Sequence, residues 1–401
     1  MEAGDLPGAR KAYDEGLTLR RALLDQNPQS AQARRDVALS LDKVGDAARE
    51  AGDLQGARKA YDESLTLTRA LLDQNPQSAQ ARRDVAVSLN KVGDAAKEAG
   101  DLQGARKAHD ESLTLRRALL AQNPQSAQAR RDVALSLDRV GDAARAAGDL
   151  PGARKAYDES LTLRRALLAQ NPQSAQARRD VAVSLIKVGD AAMAAGDLQG
   201  ARKAYDESLT LRRALLDQNP QSAQARRDVS VSLNKVGDAA MEAGDLQGAR
   251  KAYDESLTLR RALLDQNPQS AQARRDVAVS LDRVGNAAMK AGDLPGARKA
   301  YDESLTLTRA LLAQNPESEQ SHQDVALALL RTGLCAASMG DLEAGRRDLE
   351  EATTILRRLA QAAPENATYA QQLKSLEDLL AQLFADSSPT KPEERRIRRP
   401  R

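Results

Sequence analysis

The chain has 401 residues, more than one hydrophobic core usually serves, since single cores stop growing beyond roughly 250 to 300 residues. Sixty Lys and Arg against 57 Asp and Glu leave a net charge of +3, too small and too evenly mixed to point to a nucleic-acid partner. One cysteine, Cys335, and two histidines exclude an internal disulfide and supply no structural zinc set, and no apolar run approaches the ~18 residues of a membrane span.

Gly-Asp-Leu returns at Gly4, Gly52, Gly100, Gly148, Gly196, Gly244, Gly292 and Gly340, 48 residues apart at every step, so the chain is a repeat array. It opens inside a unit, because Met1-Glu2-Ala3-Gly4-Asp5-Leu6 is identical to Met241-Glu242-Ala243-Gly244-Asp245-Leu246. The expectation is that Met1 is an internal methionine of a natural protein extending upstream, and that the first helix runs from about Leu6 to Gln26. Met1–Asp5 also lacks the basic and apolar regions of a signal peptide, so the chain is expected to be cytoplasmic.

Each unit carries two helical patterns. In the first, Val85, Leu89, Val92, Ala96 and Ala99 draw one apolar stripe at steps of four and three. Gly100 ends that helix in the left-handed conformation, and Asp101 is the predicted N-cap of the next. In the second pattern Leu102, Ala105, His109, Leu113, Arg116 and Leu120 mark one face until Asn123-Pro124 stops the helix. Ser126 is the predicted cap of the helix after it. A single hairpin of this kind cannot cover both its faces, whereas stacked hairpins can. After Pro364, a last stripe of Tyr369, Leu373, Leu376, Leu380, Leu383 and Phe384 reads as a terminal cap. The composition then changes to Ser, Pro and Arg. The predicted organisation is a repeat array over 1–363, a capping helix over 364–386 and a disordered basic tail over 387–401.

These residues resemble the tetratricopeptide repeat. Leu89, Val92, Gly93, Ala96, Gly100, Ala105, His109 and Ser112 fall where that motif places its large apolar, Leu, Gly, Tyr, Gly, Ala, aromatic and Ala residues, and the aromatic position is Tyr in other units, as at Tyr61 and Tyr157. Two departures stand out: Leu replaces the usual aromatic at the first position, and the unit is about 14 residues longer than the ordinary ~34, about two turns more per helix. Lengthened repeats of this kind are similar to those of kinesin-light-chain-like and many bacterial proteins. The resemblance implies an all-α fold, a right-handed superhelical solenoid of antiparallel helix pairs, in which the first helix of each unit lines a concave, ligand-binding face.

The sequence offers little to catalysis, and neither cofactor nor metal is expected. Gly52-Asp53-Leu54-Gln55-Gly56-Ala57-Arg58-Lys59 has the wrong spacing for a phosphate loop. His109 reads as a replacement for Tyr on a packed face, His322 as a residue facing water, and Cys335 as an inert buried thiol.

Carried over by position, the concave face includes Asp46, Asp94, Asp142, Asp190 and Asp238, giving way to Asn286 and Leu334. Two readings stay open: a carboxylate ladder that receives a basic segment, or a row neutralised by Lys43, Lys91, Arg139, Lys187 and Lys235, each three residues earlier. A second column runs Arg49, Lys97 and Arg145, then Met193, Met241, Met289 and Ala337, and Ile186 and Leu330 replace an otherwise Asp or Asn position. A soft apolar groove along repeats four to seven and simple helix packing both account for them. The basic clamp of chaperone-binding members is lacking, since Leu39, Val87 and Leu135 stand where it needs Lys. The expected function is a non-enzymatic scaffold that binds a peptide or helix of a partner protein. The alternative is the regulatory or sensor arm of a larger enzyme or signalling protein whose other domain lies upstream.

Overall fold

In the computed structural model, residues 6–364 and 366–384 are described. The predicted basic tail, Met1–Asp5 and the last two positions of the predicted cap lie outside them. The described residues form helices and short connections, with no strand. The helices are α1 (Leu6–Gln26), α2 (Ala31–Glu50), α3 (Leu54–Gln74), α4 (Ala79–Glu98), α5 (Leu102–Gln122), α6 (Ala127–Ala146), α7 (Leu150–Gln170), α8 (Ala175–Ala194), α9 (Leu198–Gln218), α10 (Ala223–Glu242), α11 (Leu246–Gln266), α12 (Ala271–Lys290), α13 (Leu294–Gln314), α14 (Glu319–Ser338), α15 (Leu342–Ala362) and α16 (Ala367–Phe384). They fall into two compact units that divide between Leu215 and Leu216.

Local chemistry sets the helix ends where the spacing predicts them. Ser126 accepts from the Ala129 amide at 3.1 Å, and Asp101 accepts from Gly104 at 2.8 Å. Between the two helices of a unit, Gly100 has a φ of 80°, its amide reaches the Lys97 carbonyl, and the Asp101 amide reaches the Ala96 carbonyl. Those two bonds satisfy carbonyls that a helix C-terminus leaves open, and the left-handed residue that makes them possible costs a glycine nothing.

Packing within a hairpin turns on a glycine of the even-numbered helix and an aromatic of the odd-numbered one. A Cβ on Gly141 would lie 2.4 Å from Cε1 of Tyr157, so the ring rests directly on the α6 backbone. The same approach joins Gly45 to Tyr61, Gly189 to Tyr205, Gly237 to Tyr253 and Gly285 to Tyr301. A buried serine adds a hydrogen bond across the same gap. Ser160 Oγ donates to the Ala134 carbonyl at 3.0 Å, and Ser112 to that of Ala86 at 2.9 Å. Around these contacts the core is aliphatic and small: Val133, Leu137, Ala143, Ala144, Ala153 and Leu161 are all buried.

Within the first unit, α3 packs on α2 and on α4, and the pattern continues through α7 and α8. The even-numbered helices α2, α4, α6 and α8 also touch one another directly, which puts them on the tighter side of the stack. On the other side, long side chains bridge the odd-numbered helices, as in Arg69 to Glu111 at 2.7 Å and Arg165 to Glu207 at 2.6 Å. These pairs are about half exposed, and each is worth roughly 0 to 1 kcal/mol. In the second unit α11 packs on α10 and α12, α13 on α12 and α14, and α16 closes on α15 through Tyr369, Leu376 and Phe384.

Gly141→Ala is expected to destabilise the first unit by about 1 to 3 kcal/mol, because the new methyl must displace the Tyr157 ring or the helix beneath it. An unchanged urea midpoint would show that the close approach is not a constraint.

Candidate functional site

The even-numbered helices present one repeated face. On α4, Val87, Lys91, Asp94 and Lys97 are spaced four, three and three apart, so they follow one another along a single side of the helix. On α2 the corresponding residues are Leu39, Lys43, Asp46 and Arg49.

The aspartates of this face are engaged. Asp46 accepts from Tyr61 Oη at 2.8 Å and from Lys91 Nζ at 2.5 Å, and Asp142 accepts from Tyr157 at 2.6 Å and Lys187 at 2.7 Å. Asp94 meets Arg139 at 3.3 Å and His109 at 3.5 Å. Asp190 accepts from Tyr205 at 2.7 Å, and Asp238 accepts from Tyr253 at 2.8 Å with Arg283 at 3.5 Å. The cation therefore comes from the next repeat, 45 residues on, and not from three residues earlier on the same helix. Each bridge joins the hairpin of one unit to the even helix of the following one. Burial pushes the Tyr61, Tyr157 and Tyr253 phenols up, and the carboxylate each one bonds pushes the same way. Tyr301, whose partner is neutral Asn286, is raised to about 12, chiefly by burial. Burial works against the Asp142 carboxylate, but Lys187, Tyr157 and Lys97 outweigh it and hold its pKa below the usual range.

The second column is more varied. Arg49 reaches Glu98 at 3.8 Å, whereas Lys97 and Arg145 form no ion pair among the described residues. Met193, Met241 and Met289 are half-buried. Met241 packs against Ala240, Ala249, Tyr253 and Ala287, and Met289 against Ala288, Ala297, Tyr301 and Cys335. At the position otherwise held by Asp or Asn, Asp138 is buried and bonded to Arg164 at 2.7 Å. Ile186 and Leu330 there are half-buried, and Leu330 lies against the cluster that holds Val325 and Leu329.

A third column emerges from the structure. Leu39, Val87, Leu135 and Val183 in the first unit, and Val231 and Val279 in the second, expose between 37 and 57% of their surface, although each lies between buried neighbours in sequence. The signal was present in the 48-residue recurrence of an aliphatic residue, but adjacency to the core stripe masks it. Three open recesses adjoin these columns. One of about 540 Å³ is lined by Tyr13, Leu39, Asp42, Asp46, Val87 and Lys91. A second, of about 620 Å³, is lined by Lys97, Leu102, Asp142, Arg145, Ala146 and Lys187. In the second unit one of about 400 Å³ is lined by Asn286, Met289, Lys290, Tyr301, Arg331 and Leu334.

The remaining candidates are packing residues. Cys335 is buried with its thiol pKa pushed up by burial, and its Sγ lies 3.6 Å from the Leu294 carbonyl. His322, expected to face water, is half-buried because its ring folds back to the Ser318 carbonyl at 3.0 Å. Among the described residues no group of His, Cys, Asp and Glu converges as a metal site would require. This face can present aliphatic surface and fixed charge to another molecule.

A tetratricopeptide repeat model matches residues 37–77, 85–125, 133–173, 181–221, 229–269 and 277–322. No curated protein matches the sequence. The structure is similar to that of BtubC (BKLC) from P. vanneervenii, with 16% identity, 65% of this chain and 92% of that chain covered, and a TM-score of 0.51. It is also similar to a signal transduction ATPase with numerous domains (STAND) with a tetratricopeptide repeat sensor from Pyrococcus horikoshii, with 11% identity, 94% of this chain and 50% of that chain covered, and a TM-score of 0.50. A putative kinesin light chain from Podosopora anserina with nearly identical TPR-like repeats shares 16% identity over 58% of this chain and 96% of its own, with a TM-score of 0.44. At such identities the likeness is one of fold.

His109 makes the first unit sensitive to acid. Burial, reinforced by Arg139 and Lys97 against the pull of Asp94, lowers its pKa from 6.5 to about 4, and Nδ1 has no partner. The unfolded chain takes up a proton between those values while the folded chain does not, so stability falls as pH drops through that window. Between pH 7.5 and pH 5 the loss is about 2 kcal/mol. His109→Tyr is expected to remove it, as read from urea midpoints at the two pH values. Parallel losses in both proteins would contradict the assignment.

Proposed function

The chain belongs to the tetratricopeptide repeat family, whose members generally bind proteins, and we propose that it is a non-enzymatic scaffold holding a peptide or helix of a partner against its even-numbered helices. One observation carries this reading: the exposed aliphatic column recurs in the same place on α2, α4, α6, α8, α10 and α12. Leu39 and Val87 line one recess with the bonded pair of Asp46 and Lys91, and folding leaves each side chain of the column in water. Covering one would contribute about 1 kcal/mol, given roughly 25 cal/mol per Å² of apolar area. The half-buried Met241 and Met289, with Leu330, continue that apolar character in the second unit, and Met193 and Ile186 do so in α8. A polarizable, unbranched side chain adapts to varied partners. The concave-face aspartates Asp46, Asp94, Asp142, Asp190 and Asp238 then serve binding indirectly, by fixing the helices that carry the column.

No described helix is long and apolar enough to cross a membrane, and the single buried thiol suits a reducing cytoplasm. A second reading is that of a sensor arm in a larger signalling protein. It is favoured by the likeness to the STAND protein, whose own repeats are a sensor and of which this chain covers half. A longer reading frame carrying another domain would support it.

The scaffold reading is tested by changing Leu135 and Val183 to Glu in the first unit, and Val231 and Val279 to Glu in the second. These positions are exposed, so helicity and melting should be retained while proteins recovered by the wild-type chain are depleted about tenfold or more, a loss of ~1.4 kcal/mol. Equal recovery by wild type and both variants means that this face is not where partners bind.

A further inference from the structure

The joint between α2 and α4 closes with an ion pair from Arg49, in the last turn of one helix, to Glu98, at the end of the next, at 3.8 Å. The two following joints keep the cation and lose the acid. Lys97 has Ala146 where Arg49 has Glu98, and Arg145 has Ala194. Neither Lys97 nor Arg145 forms an ion pair among the described residues. Truncation to alanine also leaves space: Ala146 lines the recess of about 620 Å³ together with Lys97, Leu102, Asp142, Arg145 and Lys187.

The charges facing this recess can be followed one by one. Asp142 is the one acidic side chain in its lining, and it is already bound by Lys187, through both carboxylate oxygens at 2.7 and 2.8 Å, and by Tyr157. Of the nearby acids, Glu98 faces Arg49, Asp101 pairs with Arg58 at 3.5 Å, and Asp149 pairs with Arg106 at 3.2 Å. Three cations thus meet one committed carboxylate. Helix C-termini favour a basic residue in their last turn by about 0.3 to 1 kcal/mol, which accounts for a cation being tolerated there. It does not account for the missing acid, because Arg49 occupies the same place on its helix and still has Glu98.

The geometry points to this recess as a binding site for an acidic segment of a partner protein, with two of its carboxylates taking the places that Glu98 fills in the preceding joint. The inference rests on the even-numbered helices being the binding face. Arg145 suits a carboxylate through its planar pair of donors, and Lys97 as a compact charge beside it. A peptide fits better than a nucleic acid because Val87, Leu135 and Val183 stand exposed on the same helices, and because two free cations are few against the many phosphate contacts that sustain polynucleotide binding.

The test uses the full chain and two fluorescein-labelled peptides, one repeating Leu-Glu-Glu and one repeating Leu-Gln-Gln, followed by anisotropy at low and high salt. The Glu peptide is expected to bind at least about tenfold more tightly than the Gln peptide, and to weaken as salt rises. Ala146→Glu with Ala194→Glu should restore the two pairs, raise or preserve the melting temperature, and abolish the preference. Lys97→Met with Arg145→Met should abolish it too. Equal binding of the two peptides, or a preference that survives Ala146→Glu with Ala194→Glu, overturns this inference while leaving the aliphatic column as the binding surface. A single-stranded oligonucleotide that outcompetes the Glu peptide also overturns it, in favour of a polyanion site. Loss of partner recovery on changing the aliphatic column is a separate readout, so the two readings can fail independently.

Discussion

Everything in these repeats depends on a ring lying on a bare stretch of backbone. The tyrosines of α3, α7, α9, α11 and α13, and His109 of α5, approach the glycine of the partner helix so closely that a Cβ would overlap them, and this approach sets the separation of the two helices. In Tyr61 and Tyr157 the hydroxyl then reaches the aspartate that directly follows the glycine, and that aspartate receives a lysine from the following repeat. Lys91 and Lys187 also lie over the rings themselves, at 5.3 and 5.4 Å from the centroids of Tyr61 and Tyr157. A single cluster therefore determines both how a hairpin closes and how it meets the next one. That coupling explains why the text of the unit is nearly constant: a change at the glycine, the ring, the acid or the base disturbs two interfaces at once.

The same cluster decides what the even-numbered helices can offer a partner. Carboxylates bonded by a phenol and a cation have little capacity left for a basic ligand, and removing them from their partners would cost more than an exposed pair is worth. The aspartate row is best understood as mortar. Available surface lies on either side of it, in the exposed aliphatic column and in the column that passes from Arg49, Lys97 and Arg145 to the methionines. The aliphatic column is nearly uniform, while the other varies from unit to unit. Uniform apolar surface gives contact area, and variation beside it gives the means to discriminate among partners.

Much of the fold was legible in the residues themselves. Gly100, Asp101, Ser126 and Asn123-Pro124 carry local instructions that act within a few residues, so the helix ends and the hairpin follow directly. The partners of the aspartates were not legible in the same way. Lys43 lies three residues before Asp46, and Lys91 lies 45 residues after it; both are lysines, and only the stacking of α4 on α2 brings the second within 2.5 Å. The exposure of Val87 was hidden for a related reason. It sits between Ala86 and Ser88, both buried, so composition alone gives no sign that its side points away from the neighbouring helices. Ser112 stands where the family places Ala, and its bond to the Ala86 carbonyl explains how a hydroxyl is tolerated in a dry interface.

The positions where the units differ show which contacts the stack can do without. Where Thr68 replaces the arginine found at Arg116 and Arg164, the pocket beside Asp42 loses a cation. The carboxyl of Asp42 then stays buried with one oxygen unpartnered, and burial raises its pKa. Ile186 replaces the acid outright and is half-buried. These exchanges sit in the hairpin interior, and the flanking helices keep the same bounds and the same caps. Loss of the Glu98 type of pair at Ala146 and Ala194 is equally silent for α6 and α8. A contact the fold tolerates losing at one joint and retains at another contributes little to stacking, and its absence changes the surface more than the structure. Differences in function between successive units are therefore to be sought where the ring, its glycine and its bridged acid stay fixed and the residues at the helix ends change.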